Sequence, residues 1–238
     1  MNQNWKLTMF VMLALVAFSI GCASTQGTPA PTPTPTVAPT AVTASSTTSA
    51  PTGGIFTVKL VVVPEKSKAN YRVTEQLVGQ NLPDDAVGST NAISGAIVGK
   101  TDGTIDTSQS KFVVDLRTLR SDQSLRDGFI QRTPLQTSQY PYATFVPTSG
   151  SGFPNAVPAS GQGSFKLTGN MTIRGVTKPL TWDVSCQLTN GQVEGICHAT
   201  TSFTFEDFNL DQPRVGRVLS IVDKITLEVD VDLMRVNP

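Results

Sequence analysis

The sequence is poor in the residues that usually carry chemistry. Histidine occurs once, at His198, and only 15% of the 238 residues are charged. There is no Ser/His/Asp order, zinc-ligand spacing, phosphate loop or dinucleotide fingerprint on which a common catalytic site could be built. His198 shares the polar face of its strand with Glu194 and Thr200, the position of an ordinary exposed residue. The three cysteines lack a CxxC spacing, which argues against a thioredoxin-like role. Basic and acidic side chains number 18 each, without a basic cluster. That balance argues against nucleic acid as a partner and against electrostatic attachment to a membrane. No period of roughly 20 to 50 residues marks a repeat array. The expectation is a protein that is not an enzyme, holds no metal, and attracts its partners by apolar contact.

The N-terminal apolar run, Leu7 to Ile20, is too short to span a bilayer comfortably but suits a signal-peptide core. Its ending, Ser19-Ile20-Gly21-Cys22, resembles a bacterial lipoprotein cleavage box, with Ser19 where a branched aliphatic residue is usual. On that reading residues 1–21 are removed and Cys22 is acylated. An ordinary cleaved signal peptide is the alternative, and it leaves Cys22 without a role. Either sends the protein out of the cytoplasm, and the first anchors it to the bacterial cell membrane or envelope. Residues 22–53 form the next unit. Ala23 to Thr52 carries no charge and is almost entirely Thr, Pro, Ala and Ser. It cannot bury enough apolar surface to offset its ordering entropy. As an extended tether it reaches up to about 90 Å.

Residues 54–238 make one domain of ordinary size, and its pattern is β throughout. The clearest stretch is Gly163 to Leu188. Phe165, Leu167, Met171 and Ile173 alternate with polar residues, and so do Leu180, Trp182, Val184, Cys186 and Leu188. Alternation gives each strand one apolar and one wet face. Gly175 to Pro179 reads as the corner between them. Phe56 to Val63, Lys68 to Leu77, the segment around Ile93 and Ile97, and Phe112, Val114 and Leu116 continue the habit. Val78 to Ser89 and Gly150 to Gly163 read as loops, and Asp102-Gly103 as a turn. Ser121 to Ile130 suggests a short helix capped by Ser121, with Leu125 and Phe129 on one face. Adjacent Arg126 and Asp127 point in different directions there, so each is expected to tie a loop or turn to neighbouring backbone. The last strand places Ile225, Leu227, Val229, Val231 and Leu233 on one face. Many strands with one apolar face each imply a closed barrel or a sandwich.

Cys186 and Cys197 remain as a pair for an oxidising compartment. A two-residue Asn190-Gly191 turn would make them diagonal neighbours, too far apart for comfortable disulfide geometry. A four-residue loop, Asn190 to Val193, would set them directly opposite. The longer loop with a disulfide is the favoured reading, and two buried free thiols are the alternative.

Three blocks carry a family resemblance: RTLRSDQSLRDGFI, QYPYATF and GSFKLTGNMTIRGVTKPLTWDV. They resemble the signature blocks of the YceI-like family, which are bacterial polyisoprenoid-binding proteins. Arg126-Asp127 matches the first block. Tyr140, Pro141 and Phe145 match the second, and Met171 to Pro179 the third, with Met171 in place of Leu. Two departures stand out. The family's Arg-Ser-Asp-Phe-Gly-Leu element corresponds to Phe205 to Leu210 without its Arg and Gly, and Glu75 replaces a first-strand His. Both bear on how a ligand's head would be seated.

The resemblance implies an all-β fold, an antiparallel up-and-down, lipocalin-like barrel of about eight strands with a short helix in one connection. It also implies an isoprenoid lipid, a quinone or polyprenyl type, held in the barrel. The lining would be Phe112, Val114, Leu116, Phe145, Phe165, Leu167, Met171, Ile173, Leu180, Trp182, Val184, Phe203, Phe205, Ile225, Leu227, Val229 and Val231. Expected partners are that lipid and, through the acyl anchor, the membrane; a homodimer stays open. Alternation alone does not separate a lined tunnel from a filled core. The alternative is therefore a ligand-free envelope interaction or stress-response module. An enzyme acting on a bound isoprenoid ranks last, because the interior register is almost wholly apolar.

Overall fold

The computed structural model describes residues 57–100, 103–152, 161–189, 193–214 and 216–236. The signal-like segment, the tether, Cys22, Phe56 and Asp102 lie outside the described residues. In chain order the elements are β1 (Thr57–Val62), β2 (Lys68–Leu77), β3 (Asp84–Thr90), β4 (Ile93–Lys100) and β5 (Lys111–Asp115). Helix α1 (Ser124–Arg132) follows, then β6 (Tyr142–Ser151), β7 (Gly161–Ile173), β8 (Val176–Thr189), β9 (Glu194–Phe203) and β10 (Val218–Val236).

The strands form one sheet in the order β1-β4-β5-β6-β7-β8-β9-β10-β2-β3, and β1 pairs again with β10. Every pairing is antiparallel. β1 and β2 are two pieces of one strand line, since both lie along β10, at Lys59↔Val236 and Ala69↔Val229. A 3-10 turn at Pro64–Lys66 breaks that line. Ser67 stitches the break: its hydroxyl donates to Val63 O at 2.8 Å and accepts from Asp232 N at 3.1 Å. β3 and β4 likewise make one line opposite β2 and β1. Counted so, the sheet is a ring of eight strands, up and down, as the resemblance implied. Closure removes the open edges that would otherwise pair with neighbouring molecules.

Antiparallel order also sorts the ends. The β2–β3 hairpin, α1, the β7–β8 turn and the segment leading into β10 gather at one end. Thr57, Lys100, Ser151, Thr189 and Val236 lie at the other. The expected alternation is visible in burial: Leu167, Met171, Ile173, Trp182, Val184 and Phe145 are buried, while Lys166, Asp183 and Ser185 are exposed.

Four local expectations are corrected. Asp84–Thr90 is a strand and not loop. Its inward residues Ala86, Gly88 and Thr90 are too small to announce an apolar face. The β7–β8 corner is the two-residue turn Arg174-Gly175, because Ile173 pairs with Val176. Both turn residues have positive φ, 49° and 74°, which suits the right-handed twist of the flanking strands. Pro179 stands inside β8; the β9 ladder begins only at Asp183, so Pro179 has a sheet neighbour on one side and no ladder bond is lost on the other. Finally, Ser121 does not cap α1. The helix starts later, and Asp127 instead reaches back, accepting from Ser121 N at 2.8 Å and Ser121 Oγ at 2.6 Å. Leu125, 87% exposed, and Phe129 do share one face of the helix, and that face borders the cavity.

Candidate ligand-binding cavity

The ring is hollow. A cavity of about 900 Å³, near the upper end for small-molecule sites, occupies its interior. Along β10 it is lined from Val218 to Leu233. At about 3.3 Å per residue and a tilt near 40°, that is roughly 35–40 Å of depth. A slender chain fits this shape, and a compact molecule would leave most of it empty.

The walls follow from strand alternation. β5 and the 3-10 turn after it contribute Phe112, Val114 and Leu116; β6 contributes Phe145; β7 contributes Phe165, Leu167, Met171 and Ile173. Trp182 and Val184 come from β8, Phe203 from β9 with Phe205 just beyond it, and Ile225, Leu227, Val229 and Val231 from β10. Leu180 is the exception. It packs half-buried against the core without lining the cavity. At that end the 3-10 turn Glu206–Phe208 lies against β8, and Phe208, fully buried, meets Phe203 edge to face at 4.6 Å. Phe145 and Trp182 make a second edge-to-face pair at 5.9 Å. Trp182 keeps its indole Nε1 buried and without a hydrogen-bond partner among the described residues.

Cys186 and Cys197 also line the wall and are joined by a disulfide. They sit directly opposite in the β8–β9 ladder, and Thr189 pairs with Glu194, so four residues separate the strands. The longer loop is therefore the one present; its residues 190–192 lie outside the described set.

The cavity opens at the α1 end, where Val78, Gln80, Gln123, Leu125 and Arg217 both line it and are exposed. Just inside this mouth the wall turns polar. Glu75 of β2, 8% exposed, receives Arg126 Nη2 of α1 on Oε1 at 2.7 Å. Arg126 Nη1 donates to Asp122 at 2.7 Å. Tyr71, also lining, lies across Gly88, where a Cβ would come within 2.2 Å of its ring. Burial pushes the Tyr71 phenol up to about 12, opposed by Arg126 and reinforced by Asp127, Glu75 and Asp122. The phenol is therefore a neutral hydrogen-bonding group across the physiological range.

Arg126 therefore bonds two carboxylates and not the neighbouring backbone expected of it, whereas Asp127 does hold neighbouring backbone. Glu75 was noted only as a replacement. The signal that marks it is its place in the apolar register of β2, two residues beyond Val73 and four beyond Tyr71. An acid there must find a cation.

Other titratable groups stand apart from the cavity mouth. His198 Nδ1 meets Asp230 Oδ1 at 2.7 Å on the exposed face of the β9–β10 ladder. Thr204 N and its hydroxyl donate to Asp207, holding that carboxyl below the usual range, while Asp211 pairs with Arg174 at 3.4 Å. Asn209, in the place of the family's Gly, adopts φ 52°, which Asn tolerates. Among the described residues no group of His, Cys, Asp and Glu could hold a metal ion.

Comparison with known proteins places these features in context. The model of the YceI-like domain matches residues 60–233. UPF0312 proteins of Pseudomonas putida are 34% identical over 112 residues, covering 44% of this chain and 54% of theirs. The matched region thus spans about half the length of these curated relatives. Among solved structures, BcnA of Burkholderia cenocepacia is similar with TM-score 0.52 at 16% identity, covering 72% of this chain and 98% of that one. A polyisoprenoid binding domain from Saccharophagus degradans, implicated in plant cell wall breakdown, gives 0.55 at 11% identity, covering 74% and 97%. The YCEI protein of Campylobacter jejuni gives 0.51 at 17%, covering 63% and 85%. At these identities the structural likeness is one of fold.

Proposed function

The chain belongs to the YceI-like domain family, and on that premise we propose that it binds, stores or carries a long-chain isoprenoid inside its barrel. The observation that carries this reading is the apolar bore itself, about 900 Å³ and long enough for an extended chain. A filled core, the requirement of the ligand-free alternative, does not fit such a space. Transfer of an isoprenoid tail from water into the bore contributes about 0.8 kcal/mol per buried CH₂, before the cost of ordering the chain. The similar fold of a polyisoprenoid binding domain supports the same ligand class. No chemical step is needed: the bore offers desolvation and shape, and the mouth offers hydrogen bonds.

The site of action in this proposal is outside the cytoplasm, at a membrane to which acylated Cys22 anchors the chain. The signal-like run and the Ser19–Cys22 box support it. So does the Cys186–Cys197 disulfide, since such bonds persist in oxidising compartments.

The test uses the single tryptophan left once Trp5 departs with the signal, Trp182 in the cavity wall. Titration of the purified chain, freed of residues 1–21, with a long-chain quinone should quench its fluorescence saturably at one quinone per barrel. Phe165→Asp, with its far-UV circular dichroism intact, should abolish the effect. Absence of quenching in the parent protein, or equal quenching in the variant, would overturn the reading.

A further inference from the structure

The apolar lining of the bore does not stop at its mouth. Val78, just past the end of β2, and Leu125 of α1 both line the cavity and stand exposed beyond it. Leu82, in the β2–β3 loop, and Leu219 and Val222, at the start of β10, belong to the same end of the barrel. Each of the five is more than half exposed. The β10–β2 ladder shifts register between Val218 and Ser220 and again between Ile221 and Ile225. Such irregularities re-aim side chains, and here they leave Leu219 and Val222 outside the wall that Val218 and Ile221 line. Among the described residues nine large apolar side chains are exposed, and these five gather around one opening. Exposed apolar residues scattered singly are ordinary; a ring of them continuous with an apolar cavity marks a surface that something covers.

The surroundings of the ring say what that is. Exposed charges at this end have both signs, Arg214, Arg217 and Lys224 beside Asp84, Asp85, Asp122 and Asp223. A rim so balanced neither seeks nor avoids a charged partner, so its attraction is apolar. A second barrel set rim to rim would close both cavities. A bilayer accepts side chains that project from separate loops, a helix and a strand end without demanding a matching shape. The position of the chain's N-terminal segment agrees with a bilayer. The chain enters β1 at Thr57, at the end opposite the mouth. An extended tether of up to about 90 Å exceeds the roughly 35–40 Å of the bore, so an anchor at Cys22 leaves the mouth free to turn onto the same membrane.

We propose that this rim is a membrane-docking surface. Val78, Leu82, Leu125, Leu219 and Val222 enter the bilayer at the boundary between head groups and acyl chains, a depth of about 5–10 Å for side chains that bind this way. The mouth then opens against the apolar layer, and an apolar ligand passes between bilayer and bore without crossing water. The docking does not depend on the isoprenoid reading, and its test contains no isoprenoid.

The experiment floats phosphatidylcholine vesicles, with and without an anionic lipid, in the presence of the chain freed of residues 1–21 and not acylated. The parent should float with both kinds of vesicle, and about 0.5 M salt should not release it, because salt screens charges and not apolar contact. Leu82→Ser combined with Leu219→Ser, neither of which lines the cavity, should lower the partition coefficient about tenfold or more. Ile196→Ser combined with Met234→Ser, exposed apolar positions toward the other end, should leave it unchanged. Both variants should keep the parent's circular dichroism spectrum. A parent that stays with the soluble fraction, or an equal loss in the two variants, would overturn the proposal. So would binding confined to anionic vesicles and released by salt. A lipid-free dimer that the rim substitutions dissolve, in a parent that does not float, would assign the rim to a second copy of the chain instead.

Discussion

From Leu188 to Ile173 the cavity wall is strand after strand of apolar side chains, whereas between Glu75 and Arg126 it carries an ion pair and a half-buried phenol. The bore is assembled by local periodicity. Each residue two places along a strand faces inward, so a single rule supplies the whole wall. The mouth is assembled from elements far apart in sequence: β2, β3 through Gly88, and a helix with no buried residue of its own. Apolar walls distinguish ligands by length and width, while charges and donors distinguish them by head group. In this barrel the two kinds of selectivity sit at different depths.

The comparison can be broken at either place. The largest effect is expected in the bore. Phe145→Ala removes a ring packed edge-on against Trp182 and should cost about 3–5 kcal/mol in a denaturant titration. Reducing the wall's disulfide comes next. Cys186 and Cys197 are separated by 11 residues, and opening so short a loop should cost about 2–3 kcal/mol in the same titration. The mouth should respond less and in a different manner. Arg126→Ala strands Glu75 without its cation and should cost about 1–3 kcal/mol. Adding Glu75→Gln should recover part of that loss, a coupling that a double-mutant cycle measures. A purely additive cycle would contradict the pairing.

The same contrast explains what the sequence discloses and what it hides. β7, β8 and β10 are legible because burial on one face forces a period of two, and their apolar residues are large enough to show it. β3 is not, because Ala86, Gly88 and Thr90 occupy the inner face; Gly88 is small so that Tyr71 can lie over it. The turn at Arg174-Gly175 comes earlier than the sequence suggests, because Pro179 reads as a stop and its tolerance depends on where the β9 ladder begins. The cysteine register was legible because disulfide geometry selects one loop length. Of the expected interior residues all but Leu180 face the cavity, but the wall also takes in Leu60, Tyr71, Val73, Ile97 and Ala199, from strands whose alternation is weaker. The Glu75–Arg126 pair was missed as a pair because 51 residues separate its members, and no local pattern joins them.

The measurement that bears most directly on the central claim is mass spectrometry of an organic extract from the full chain, purified under native conditions from its own host. The account predicts one isoprenoid lipid per barrel, lost in Phe165→Asp while the protein remains folded. A barrel that yields no lipid, and that also refuses added quinone and polyprenol, would contradict it.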